Sequence, residues 1–233
     1  LNRLRSGTVT SAKQIDSAGR TIIAKIEGID GNIERAYIRF EAQAEDDVRA
    51  LYGDMYELDE PGAMSRRSAA AYELSKAIGM DDLIPPTVYR VNEHSGLEPV
   101  MSLTAMEDLA SNSGMEADEL RQQLGDHASI ELWTNETSLL VTTDWFAELN
   151  SDDAVGLNDF YDNSPYRIPL LRGAVLDYIL WSGTRTMADL LVCADVRHPL
   201  HLMRNDLSFP DPVAMGTAYI EYSGSFTDGA PSV

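Results

Sequence analysis

Lysine is scarce in this chain. Only Lys13, Lys25 and Lys76 occur among 18 cations, and 38 Asp and Glu residues leave a formal net charge of −20. Phosphate backbones and anionic bilayers reward clustered cations, so this balance argues against a nucleic-acid binder or a membrane-surface protein. Cysteine occurs once, at Cys193, which excludes an internal disulfide framework and any cysteine-rich zinc site. Long apolar runs are missing too. Stretches such as Ala174 to Trp181, which holds Asp177, fall far short of the roughly 18 residues that a membrane-spanning helix requires. No Gly-x-Gly-x-x-Gly, Walker sequence or Gly-x-Ser-x-Gly elbow is present, so dinucleotide-fold, P-loop and hydrolase chemistry have no foothold. Of the four histidines, His198 and His201 have ligand-like spacing. Pro199 separates them and no third ligand stands near, so the set reads as structural or surface residues.

What is present suffices for a folded core, since 44% of the 233 residues are hydrophobic and 24% charged. The start reads as a three-stranded antiparallel meander. Thr8–Ala12, Thr21–Ile26 and Ala36–Phe40 are the strands, with turns at Asp16–Gly19 and Gly28–Asn32. The acid-rich stretch from Glu41 to Pro61 reads as an exposed insertion with a short helix around Asp47 to Tyr52. An amphipathic helix follows Ser65, with apolar positions 70, 71, 74, 77 and 78 and a stop at Gly79. Leu83 to Val91 is a strand entered through Pro85-Pro86, and Leu97 to Thr104 is a further strand. Ala117 to Gln123 is helical, and Asn150 to Tyr166 is loop-like. Pro169 to Trp181 is the most apolar helix, with Leu170, Leu171, Val175, Tyr178, Ile179 and Trp181 expected in the core. A strand pair is expected at Asp189–Ala194 and His201–Arg204.

Three segments carry a family signature. They are Ala36-Tyr37-Ile38-Arg39-Phe40; Arg67 to Tyr72 followed by Leu83 to Arg90; and Leu176 to Ile179 through Leu190 to Val192 and Met203 to Phe209. Together they resemble the actinobacterial family related to phosphatidylinositol 3- and 4-kinases, a distant relative of the toxin-type serine/threonine kinases. They match its Tyr-Lys-Pro strand, its Arg-Glu-x-Ala-Ala-Tyr helix with the Val-Pro-Pro-Thr-Val-x-Arg strand, and its catalytic and metal loops. The resemblance spans roughly residues 5 to 210. It implies an α+β, two-lobed protein-kinase-like fold. An antiparallel β N-lobe with one helix would occupy residues 1–104 and a mainly helical C-lobe residues 105–233, as one structural unit. The family continues with helices beyond the metal loop, whereas this chain ends soon after it.

Phosphoryl transfer needs a cation on the nucleotide phosphates, an acid anchoring that cation, a residue positioning the acceptor, and carboxylates on Mg²⁺. At the matching positions each has changed. Arg39 stands for the lysine, Ser68 for the helix glutamate, Thr184 for the catalytic aspartate, and Arg204 for the metal aspartate, while Arg185 is retained. Asp189 and Asp206 are the carboxylates that would rescue a metal site if the loop were reregistered.

The resemblance, with these losses, implies a catalytically inactive, pseudokinase-type binding or structural module with no cofactor and no metal. Its partner would be another protein or further copies of itself, with no nucleic acid and no membrane insertion. Two alternatives stay open: an atypical active kinase using Arg39 with Asp189 or Asp206, and a structural subunit of a virion or other large assembly. The candidate interaction surface is the cluster Leu51, Tyr52, Met55 and Tyr56 within the acidic insertion. Cys193, in an apolar stretch, is expected to be buried and unreactive.

Overall fold

The computed structural model describes residues 1–14, 21–41, 60–91, 100–133, 138–140, 164–182, 189–193, 199–203, 205 and 208–209. It is an α+β structure. Helix α1 (Asn2–Ser6) leads into β1 (Thr8–Gln14), β2 (Thr21–Glu27) and β3 (Ile33–Phe40), the expected meander. Alternation drives it: Ile22, Ala24 and Ile26 of β2 and Ala36, Ile38 and Phe40 of β3 are buried on one face. The turn between these strands forms as its residues require. Gly31 takes φ +72°, and the Asp30 carboxylate accepts from the Asn32 backbone N–H at 3.2 Å.

After α2 (Ala63–Ala77) and β4 (Thr87–Val91), the chain makes α3 (Leu103–Ser113), α4 (Ala117–Leu124) and β5 (His127–Leu132). Sheet order is β1-β2-β3-β5-β4, with every neighbour antiparallel. Helices α3 and α4 cover the apolar face through Met106, Leu109, Ala110, Leu120 and Leu124. Residues 105–132, assigned from the sequence to the second lobe, therefore complete the first sheet and its core. Residues 97–99 lie outside the described residues, and the strand expected at Leu97–Thr104 gives way to α3 from Leu103. The Ser102 hydroxyl caps it by accepting from Ala105 N–H at 3.2 Å, and also donates to the Val9 carbonyl at 2.9 Å.

A buried arginine ties the chain start to this sheet. Arg90, 5% exposed on β4, donates from Nε to the Leu4 carbonyl (2.7 Å), from Nη1 to Gly7 (2.9 Å) and from Nη2 to Arg3 (3.3 Å). It thus gives donors to the Leu4 and Gly7 carbonyls at the end of α1, and a second donor to the Arg3 carbonyl, which also accepts from the Gly7 N–H at 2.7 Å.

A second core joins the two halves of the chain. Ala71 and Tyr72 of α2, with Leu83 and Ile84, pack against Leu140, Leu176, Leu180, Leu190, Leu200 and Leu202. These come largely from α5 (Arg167–Leu180) and from a small antiparallel sheet of β6 (Ser138–Leu139), β7 (Leu190–Val192) and β8 (Leu200–Leu202). The expected strand pair is present. Helix α5 forms where expected but with its faces differently used. Gly173, Leu176 and Leu180 are buried, while Leu171, Val175, Tyr178, Ile179 and Trp181 are exposed, Tyr178 at 78%. The glycine sets this choice, since a Cβ at Gly173 would lie 3.3 Å from Leu202 Cδ2, so the helix approaches β8 through its smallest residue. Among the described residues no helix is long and apolar enough to cross a membrane.

Candidate functional site

The face of the first sheet opposite α3 and α4 carries Arg39. On β3 it presents Arg35, Tyr37 and Arg39, alternating with the buried Ala36, Ile38 and Phe40. Helix α2 packs over the β4–β5 end of this same face, and among the described residues no helix covers its β1–β3 end to the same extent.

Arg39 is half-buried, with Thr21 of β2 and Ser129 of β5 as its cross-strand neighbours. The carboxylate on this face of β5, Glu131, stands opposite Tyr37 and Thr87 instead. Ser68 lies on the buried side of α2, 4% exposed, and its hydroxyl has no hydrogen-bond partner among the described residues. That side of the helix is a seam of hydroxyls, Ser65, Ser68 and Ser75, alongside Ala71 and Tyr72. The neighbouring Arg67 turns toward the chain end of the second core, where its Nε donates to the Phe209 carbonyl at 3.4 Å.

Asp189 is buried just before β7, and its carbonyl accepts from Met203 N–H at 2.8 Å. Thr184, Arg185, Arg204 and Asp206 lie outside the described residues, as do Leu51, Tyr52, Met55 and Tyr56. Among the described residues no three His, Cys, Asp or Glu side chains converge as a metal site would require. Cys193 is buried, with its Sγ 3.2 Å from Nδ1 of the equally buried His201.

Where the acidic stretch leaves β3, Glu41 reaches the start of α2. Its Oε1 accepts from the Met64 N–H at 2.6 Å, while Oε2 is buried with no partner among the described residues. Burial pushes the Glu41 carboxyl above the usual glutamate range, against the opposing pull of the Met64 hydrogen bond and the nearby His127 and Arg66. Beside it, Tyr89 Oη and His127 Nδ1 share a hydrogen bond of 2.7 Å, and the two rings stack at 5.9 Å. Gly62, at φ +78°, lets the backbone pass over this pair.

One part of the face escaped the sequence reading. Lys13, Lys25 and Arg35, with Ile23 and Trp133, line a depression of about 270 Å³ on β1–β3, and the Trp133 ring lies tilted by 33° against Tyr37 with ring centroids 4.5 Å apart. The available signal was the lysine scarcity itself. Two of the three lysines fall at alternate strand positions of one hairpin.

No protein-family model matches the chain, and no curated protein resembles it significantly.

Proposed function

We propose that this protein is a kinase-like scaffold without phosphoryl transfer, acting as a binding or structural module. The observation that carries the proposal is the surrounding of Arg39. The position from which a helix acid would anchor the nucleotide cation is Ser68, a buried residue with no charge, and the cross-strand neighbours of Arg39 are Thr21 and Ser129. A phosphate-binding cation with no carboxylate directly across either neighbouring strand, and no acid at the matching helix position, lacks the paired geometry that phosphoryl transfer uses. The replacements at Thr184 and Arg204 in the sequence remove the acceptor-positioning and metal carboxylates as well. The partner is another protein or a further copy of the chain.

The experiment is a thermal-shift and calorimetric titration of the full chain with MgATP. A ligand present at 100 times its dissociation constant stabilises the native state by about 2.7 kcal/mol. No melting shift is expected at millimolar MgATP, and a clear Mg²⁺-dependent shift that Arg39→Ala abolishes would overturn the proposal.

A further inference from the structure

We infer that the exposed face of α5 pairs antiparallel with the same face of a second copy of the chain, making a two-fold symmetric dimer. The inference takes up the further copy named among the partners above, but it rests on α5 alone and not on the kinase-like reading.

Spacing draws the face. Ile168, Leu171, Val175 and Tyr178 recur at steps of three, four and three residues, which at about 100° per residue sets them in one stripe with Ile179 at its edge. The buried Gly173, Leu176 and Leu180 lie on the opposite side. The helix therefore has two apolar sides, and the core uses one. No carboxylate interrupts the stripe. The three charges of α5 are Arg167 and Arg172 at the margins and Asp177 on the far side, and Arg172 is engaged with Asp82 at 2.6 Å. In a chain of net charge −20, two copies meeting through this stripe bring no acid of α5 against another.

The end of the helix adds an independent sign. Trp181 takes φ +54°, where a bulky residue is strained and glycine is not. Its ring stays half-exposed, stacked on Tyr178 at 6.2 Å, so within the chain that conformation gains little burial. Strain of this kind persists where a residue serves something beyond the fold.

The occupant follows from symmetry and area. A spacing of three, four and three reads the same in both directions, so the helix is complementary to an antiparallel copy of itself. Turned about the level of Gly173, Ile168 stands opposite the second copy's Tyr178, and Leu171 opposite its Val175. Ile168, Leu171, Val175, Tyr178, Ile179 and Trp181 are each 44% to 78% exposed, which with aromatic rings of 150–250 Å² amounts to about 600 Å² per copy, or about 1,200 Å² in all. That is the lower end for a stable interface, so a reversible dimer of micromolar affinity is expected.

The test is sedimentation equilibrium of the full chain from about 1 to about 100 μM, where a micromolar dimer passes from mostly monomer to mostly dimer. Leu171→Lys and Val175→Glu should each weaken association by at least about tenfold. Because position 171 faces position 175 of the other copy, an equimolar mixture of the two variants should associate again. Both side chains are exposed, so at the lowest concentration each variant should melt with the parent. A parent that stays monomeric throughout, substitutions that leave association unchanged, or a mixture that stays monomeric would each overturn the inference. If other residues of the same chain cover the stripe, the parent is monomeric and both variants melt lower at every concentration. If a lipid surface covers it, the parent is monomeric and floats with phosphatidylcholine vesicles. Either outcome overturns the dimer, whereas a melting shift with MgATP would sink only the kinase-like proposal.

Discussion

Arg90 Nε donates to the carbonyl of Leu4 at 2.7 Å, closing a contact between residues 86 positions apart. The guanidinium has two further carbonyl partners, Gly7 and Arg3, so one buried side chain holds the first helix onto the last strand of the sheet.

Replacing it with methionine keeps much of the volume but strands those carbonyls. Arg90→Met should cost on the order of 3 kcal/mol, read as a lower urea midpoint. A loss below about 0.5 kcal/mol, the range of ordinary surface changes, would show that water takes over the carbonyls and that the tether is dispensable.

Glu41 makes a pH-dependent prediction. Its folded-state carboxyl is raised by burial, so the native state favours the protonated form. That contribution is fully present below the unfolded glutamate value of about 4.3 and is lost as pH rises through the raised folded value. Glu41→Gln keeps an oxygen for the Met64 N–H without the buried charge. The variant should melt above the parent at pH 7, and the gap should close as the pH falls below 4. A gap that widens on acidification would contradict the assignment.

Gly62 should resist substitution. A Cβ there would sit 2.7 Å from Tyr89 Oη and 3.0 Å from His127 Nδ1, at a φ of +78°. Gly62→Ala carries roughly 1–2 kcal/mol of backbone strain, plus the displaced hydrogen bond. Thermal melts should place it well below Tyr89→Phe, which loses the hydrogen bond alone at about 1 kcal/mol.

Helix α5 separates its apolar residues by role. Leu176→Ala should cost about 2–5 kcal/mol, whereas Tyr178→Ser should stay within about 0.5 kcal/mol, because only the former leaves a cavity. Equal losses in denaturant midpoint would place Tyr178 in the core after all.

Local patterns were legible where each residue's neighbours settle its conformation. The alternation of Ile22, Ala24 and Ile26 defined a strand face, and Gly28 to Asn32 carried its turn chemistry openly. Facing was hidden where composition is uniform. α5 is apolar nearly all round, so the choice of Gly173, Leu176 and Leu180 depended on how closely β8 could approach. In α2 the buried seam runs through serines that no hydrophobic periodicity registers, so Ala70, Ala77 and Ile78, expected inside, are exposed. The position of β5 was illegible for another reason, since its pairing with β3 is long-range. That Ser129 is a cross-strand neighbour of Arg39 depends on the same long-range pairing.

The insertion of β5 between β3 and β4 has a consequence for synthesis. A ribosome releases β1 to β4 before the strand that bridges them, so the nascent chain holds a three-stranded meander whose β3 edge has no neighbour and a β4 with none at all. Those unpaired edges, with Ile38, Phe40 and Val88 uncovered, invite pairing with other nascent chains until residue 132 has cleared the exit tunnel. A premature stop between Val91 and His127 would therefore yield an aggregating fragment rather than a smaller domain, and co-translational chaperones should engage this protein most strongly over that interval.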